Sequence, residues 1–152
     1  MSAPLFGCAD GGEIMNFYTL LDGYEPYKQL KKDIDTGKTP VSVSGVVESA
    51  KAQLIAALCS GRSTLCVVYS DFEARALYDE LCFYTDRAYL FCEKEYVFHN
   101  IDTRAHMTDF DRLAALDRIG GGGVFVASVG ACMSYTLPKD KLAAGTHTVK
   151  IG

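Results

Sequence analysis

The chain has 152 residues, 49% of them hydrophobic and 22% charged, with a net charge of −4. That is enough chain for one domain with a sizeable core, and the acidic balance argues against a broad non-specific nucleic-acid surface, which is ordinarily basic. No apolar run approaches the ~20 residues that cross a bilayer, and the N-terminus lacks the basic and apolar regions of a secretory signal, so a cytoplasmic protein without membrane contact is expected.

Residues 1–24, with Gly7, Gly11 and Gly12 and an apolar run from Ile14 to Leu21, read as an N-terminal extension to a domain over 25–152. Glu25 to Asp35 reads as an amphipathic helix with Tyr27, Leu30 and Ile34 along one face, and Lys28, Lys31 and Lys32 on the solvated side. Thr36-Gly37-Lys38 should end it, and Pro40 biases Thr39 toward extended backbone.

The stretch from Val41 to Leu58 reads as a short buried strand, a turn opening at Gly45 and an apolar helix starting near Ser49. Laid over the phosphate-loop pattern Gly-x-x-x-x-Gly-Lys-[Ser/Thr], Gly45 is the first glycine, Ala50 stands at the second, Lys51 is the lysine and Ala52 replaces the hydroxyl residue. A Cβ at Ala50 restricts the turn that makes successive N–H groups converge on phosphate. Ala52 has no hydroxyl to ligate magnesium, and Glu48 places a negative charge where an anion should sit. Gly45, Glu48, Ser49, Ala50, Lys51 and Ala52 are therefore a vestigial phosphate loop, with no catalytic residue, metal or cofactor expected.

Thr64 to Ser70 reads as a strand buried on both faces. Asp71 is expected to cap the next helix, whose inward stripe is Ala74, Leu77, Leu81 and Tyr84. Arg87 to Cys92 is another strand. Glu93 to Met107 has no clean period, and its His99 and His106 are functional candidates only by position, because ligands in α/β folds sit beyond strand C-termini. Thr108 is expected to cap a helix to Ile119 with Phe110, Leu113, Leu116 (or Ala114) and Ile119 inward. Gly120 to Gly123 follows a helix and precedes a strand, the wrong order for a phosphate cradle. Val124 to Ser128 is a further buried strand, 130–135 and 138–142 are short turns or helices, and His147 to Ile151 a last strand. Cys8, Cys59, Cys66, Cys82, Cys92 and Cys132 show no Cys-x-x-Cys and do not combine with His99, His106 or His147 at ligand spacing, so free core thiols are expected. Helices alternating with strands imply an α/β fold with at least four neighbouring parallel strands and helices on both faces.

The order of these signals resembles the N-terminal, UvrB-like module of bacterial transcription-repair coupling factors (the Mfd family). The resemblance rests on Val43-Ser-Gly45, Glu48-Ser-Ala-Lys-Ala52, Leu54-Ile-Ala-Ala-Leu58, Ala74-x-x-Leu77-x-x-x-Leu81, the Asp111-Arg-Leu-x-x-Leu116 helix and Val124-Phe-Val-Ala-Ser-Val129. It implies a P-loop-NTPase-like sheet of the kind in UvrB domain 1a, with a degenerate loop and without the long DNA-gripping hairpin of UvrB-type proteins. It also implies a fragment of a longer multidomain protein, whose separate motor domains use ATP and magnesium to translocate on DNA and dislodge stalled RNA polymerase. The module itself would be a non-catalytic scaffold, with the parent's other domains and, through an adjoining domain, UvrA as partners. Two other classes stay open on the residues alone: a diverged NTPase that still uses Lys51, and a DNA-binding domain using Lys28, Lys31, Lys32 and Arg104.

Overall fold

The computed structural model describes residues 21–59, 61–94 and 103–145, without the side chains of 103–109 and 139. The chain divides into two compact units, Met1–Gly45 and Val46–Gly152.

In the first unit, α1 (Glu25–Asp35) carries Pro26 in its first turn, where a missing N–H costs nothing. Tyr27 is buried and Leu30 and Ile34 are half-buried, the stripe expected from the spacing. Gly37, at φ +73, closes the helix as its amide donates to the Ile34 carbonyl and that of Lys38 to the Asp33 carbonyl. Beyond it the strand expected at Val41 to Ser44 is not formed, and Val41 and Val43 are exposed. Alternation of Val and Ser satisfies the strand period, but a strand needs a neighbour to bond, and here it has none among the described residues.

The second unit runs α2 (Glu48–Leu58), β1 (Ser63–Val68), α3 (Asp71–Leu81), β2 (Ala88–Phe91), α4 (Thr103–Arg118), a 3-10 turn (Ile119–Gly121), β3 (Gly123–Ser128), α5 (Val129–Met133) and α6 (Lys139–Gly145). Three parallel strands form the sheet in the order β1-β3-β2. The protein is thus α/β with a small parallel sheet between helices. Fewer strands are described than the sequence implied: 41–44 does not join, and the strand expected at 147–151 lies outside the described residues.

β3 is buried along its whole length because it has a strand on either side. On one face Phe91 and Ala127 pack with Ala115 of α4 and Ala131 of α5, with Tyr89 and Leu116 at the margin. On the other, α3 buries Ala74 and Leu81 completely, leaving Leu77 and Tyr84 half-buried, as the spacing predicts. β1 departs from expectation. Its exposure alternates, and Leu65, Val67 and, just past the strand, Tyr69 are exposed, because this side of the lateral strand is less covered among the described residues.

α4 also corrects the sequence reading twice. It begins at Thr103, five residues before the expected cap at Thr108. Among its described side chains Arg112 and Ala115 are buried and Leu116 packs at the core margin as expected, whereas Phe110 (70% exposed), Leu113 and, just past the helix, Ile119 face solvent. The helix is turned so that Ala115 packs against Phe91 and the Arg112 guanidinium lies over its ring, which leaves no room for a phenylalanine there. Gly123 starts β3 at φ +145, and a Cβ there would stand 2.6 Å from the Arg87 carbonyl oxygen. The glycine run is therefore in part a strand start that requires glycine. No helix among the described residues is long and apolar enough to cross a membrane.

Candidate functional site

The stretch expected to be a vestigial phosphate loop is mostly helix. Gly45 has φ +78, suited to a turn, but Glu48, Ser49, Ala50, Lys51 and Ala52 all lie within α2. Only Val46 and Val47 separate Gly45 from the helix. α2 has no side-chain cap, and the Ala50 amide donates to the Val47 carbonyl at 2.9 Å. The N–H at the second-glycine position is thus already used inside the chain, and Ser49 plays no capping role.

Lys51 is neutralised locally. Its Nζ lies 2.6 Å from Glu48 Oε2, an i, i+3 pair on the helix surface. Ala52 points the other way and is fully buried. The position that would hold a magnesium-ligating hydroxyl is therefore a packing position. Lys51 and Glu48 border a cleft of about 490 Å³ between α2 and α3 that also carries Glu73 and Glu80. Three carboxylates to one ammonium make this cleft repel phosphate.

Past the strand C-termini the second unit builds a different cluster. Ser70, not Asp71 as the sequence reading expected, caps α3: its Oγ accepts from the Glu73 amide at 3.2 Å. Asp71 sits one residue inside, where its carboxylate accepts from the Glu93 amide at 3.1 Å and pairs with Arg75. That carboxylate ties the start of α3 to the end of β2. Arg75 also reaches the Cys92 Sγ at 3.8 Å.

Arg112 is the residue that sequence reasoning missed. It is 5% exposed, and its guanidinium lies 4.1 Å from the Phe91 ring centroid while Nη1 donates to the Cys92 carbonyl. Its Nη2 is buried without a hydrogen-bond partner. The aromatic face offsets part of the desolvation of this cation. Nothing in the pattern around Arg112 marks it as buried, because an arginine between Asp111 and Leu113 reads as surface.

Three of the described thiols are held protonated by burial. Burial pushes Cys66 up from 9.0 to about 11, and burial also raises Cys59 and Cys92, which keeps all three protonated and unreactive near neutral pH. Cys82 and Cys132 are free but exposed, so the expectation of core thiols fails at these two. No group of three metal-ligating side chains occurs among the described residues. His99, and the side chains of His106 and Arg104, lie outside the described residues, as do Cys8 and His147. Lys28 pairs with Glu25 at 3.2 Å, and Lys31 and Lys32 are exposed on α1. No protein-family model, curated protein or solved structure matches the chain.

Proposed function

We propose that this chain is a non-catalytic interaction module with a P-loop-derived fold, of the type that opens bacterial transcription-repair coupling factors. Its role is to help bring nucleotide excision repair to a stalled RNA polymerase. In this reading the partners are the other domains of a longer parent and, through an adjoining domain, UvrA. RNA polymerase and DNA are engaged by the parent, whose motor domains hold ATP and magnesium.

The observation that carries the non-catalytic reading is the state of the loop positions. Lys51 is paired with Glu48, and Ala52 is packed in the core where a metal-binding hydroxyl would have to be. A phosphate arriving at Lys51 would have to displace Glu48 and then face Glu73 and Glu80 across the same cleft. The ordered resemblance of the motifs between residues 43 and 129 supports the rest.

The test is calorimetric titration with ATP and ADP in the presence of Mg²⁺. The expected result is no heat of binding. Micromolar binding that Lys51→Ala abolishes would replace the module with a diverged NTPase.

A further inference from the structure

β2 has β3 on one side and no strand on the other among the described residues. The Val124 amide donates to the Arg87 carbonyl at 2.8 Å, and the register sets Ala88 beside Val124 and Leu90 beside Val126. In a parallel ladder this alternation turns the amide and carbonyl of Tyr89 toward β3 and those of Ala88 and Leu90 away from it. The outward groups of Ala88 and Leu90 have no partner among the described residues. Sheet edges left this way are templates for another strand.

This edge is the floor of a cleft of about 430 Å³, within the ~300–1,000 Å³ of ligand-binding clefts. Arg75 and Tyr78 of α3 form one wall, and Asp111, Ala114 and Arg118 of α4 form the other. We infer that the cleft receives an extended segment of another polypeptide, added alongside β2, whose successive side chains toward α4 are acidic, aliphatic and basic. This deepens the interaction-module reading by naming the surface and the partner's chemistry.

The spacing supports that order. Arg118 and Ala114 are ~6 Å apart along a helix that rises ~1.5 Å per residue. Residues i and i+2 of a strand are ~6.7 Å apart on one face. An acidic side chain opposite Arg118 therefore sets the next same-face residue over Ala114, whose small side chain leaves room for an aliphatic one. The one after it reaches the exposed carboxylate of Asp111. Arg118, 5.6 Å from the Tyr89 ring centroid, is held over the strand by that ring.

A second copy of this chain does not fit the same edge. α4 packs on β2 itself. Edge-to-edge pairing would set the two β2 strands ~4.8 Å apart, whereas the α4 helices riding on them need ~8–10 Å. A lone strand brings no helix with it.

Selection of random linear peptides displayed on phage against the intact chain tests this. Enriched peptides should share acid-x-aliphatic-x-base in one direction or the other. Their binding, read by fluorescence polarisation, should weaken about tenfold or more in Arg118→Glu and in Ala114→Arg. Selection against Arg118→Glu should return a base where the acid stood, and bound peptide should slow amide exchange at Ala88 and Leu90. Arg118 and Ala114 are both exposed, so neither change reaches the core. No enrichment over an empty support, winners indifferent to both substitutions, or sedimentation showing a dimer that excludes the peptides would overturn the inference. Nucleotide binding would end the module reading and leave this cleft standing, while a failed selection would do the reverse.

Discussion

Placing a hydroxyl at position 52 should damage the protein. Ala52 is 0% exposed in α2, so Ala52→Thr forces a methyl group and a hydroxyl into filled space. Overpacking of a closed core costs about 1–3 kcal/mol. The lower helix propensity of a β-branched residue adds about 0.5 kcal/mol. The hydroxyl can donate back to the Glu48 carbonyl one turn earlier, so the further penalty of an unsatisfied buried donor is avoided. The sum is a loss of about 1.5–3.5 kcal/mol, a large part of the ~5–15 kcal/mol that holds a domain together. In urea, with a slope near ~1–3 kcal/mol per molar, the midpoint should fall by roughly 1–2 M. Ala52→Ser, one heavy atom smaller, should lie between the two. The same melts run with Mg-ATP should superimpose on those without it, since a ligand that bound the folded state would raise the midpoint. A threonine variant as stable as the parent, or one whose midpoint rises with Mg-ATP, would refute the claim that this position belongs to the core.

Arg112→Met should cost about 1 kcal/mol by denaturation, because it fills much of the same space and removes an unpartnered buried N–H, while the Cys92 carbonyl loses its Nη1 donor. Arg112→Ala should cost about 2–4 kcal/mol through the void it leaves, so equal losses in the two variants would contradict this account. Gly123→Ala should cost at least about 2 kcal/mol and loosen β2 from β3, read as faster exchange of the Val124 amide, because the new Cβ meets the Arg87 carbonyl at a φ that L-residues avoid. The raised Cys66 thiol gives a pH test: folding keeps it protonated while the unfolded chain releases the proton near 9.0, so stability is full below that pH and falls as pH climbs toward about 11. Cys66→Ala should flatten that part of the stability profile measured by urea melts across the alkaline range.

What the sequence made legible was local. The Tyr27, Leu30, Ile34 stripe and the Ala74 to Leu81 stripe were read correctly because each helix buries the face with the most apolar surface. The three sheet strands were read because their runs are short, apolar, rich in β-branched or aromatic residues, and bounded by turn residues. α4 was misread because its most apolar file, Phe110, Leu113 and Ile119, is not the one facing the sheet. Which face packs is decided by the Phe91 ring beneath it, a partner about 20 positions away that periodicity cannot see. The loop positions were half legible: the absent second glycine and hydroxyl and a helix start near Ser49 stood in the sequence, but the Glu48–Lys51 pair needed coordinates. The β2 cleft was invisible, since it depends on strand order, and β1-β3-β2 leaves no local trace.

The outward file of Leu65, Val67 and Tyr69 on β1 bears on how the chain behaves as a material. Water-facing aliphatic and aromatic groups on a lateral strand make the molecule sticky in proportion to how strongly the solvent salts out nonpolar surface. Kosmotropic salts should therefore precipitate it at concentrations that leave a Leu65→Lys, Val67→Thr variant in solution, with the fold and the β2 cleft of both unchanged.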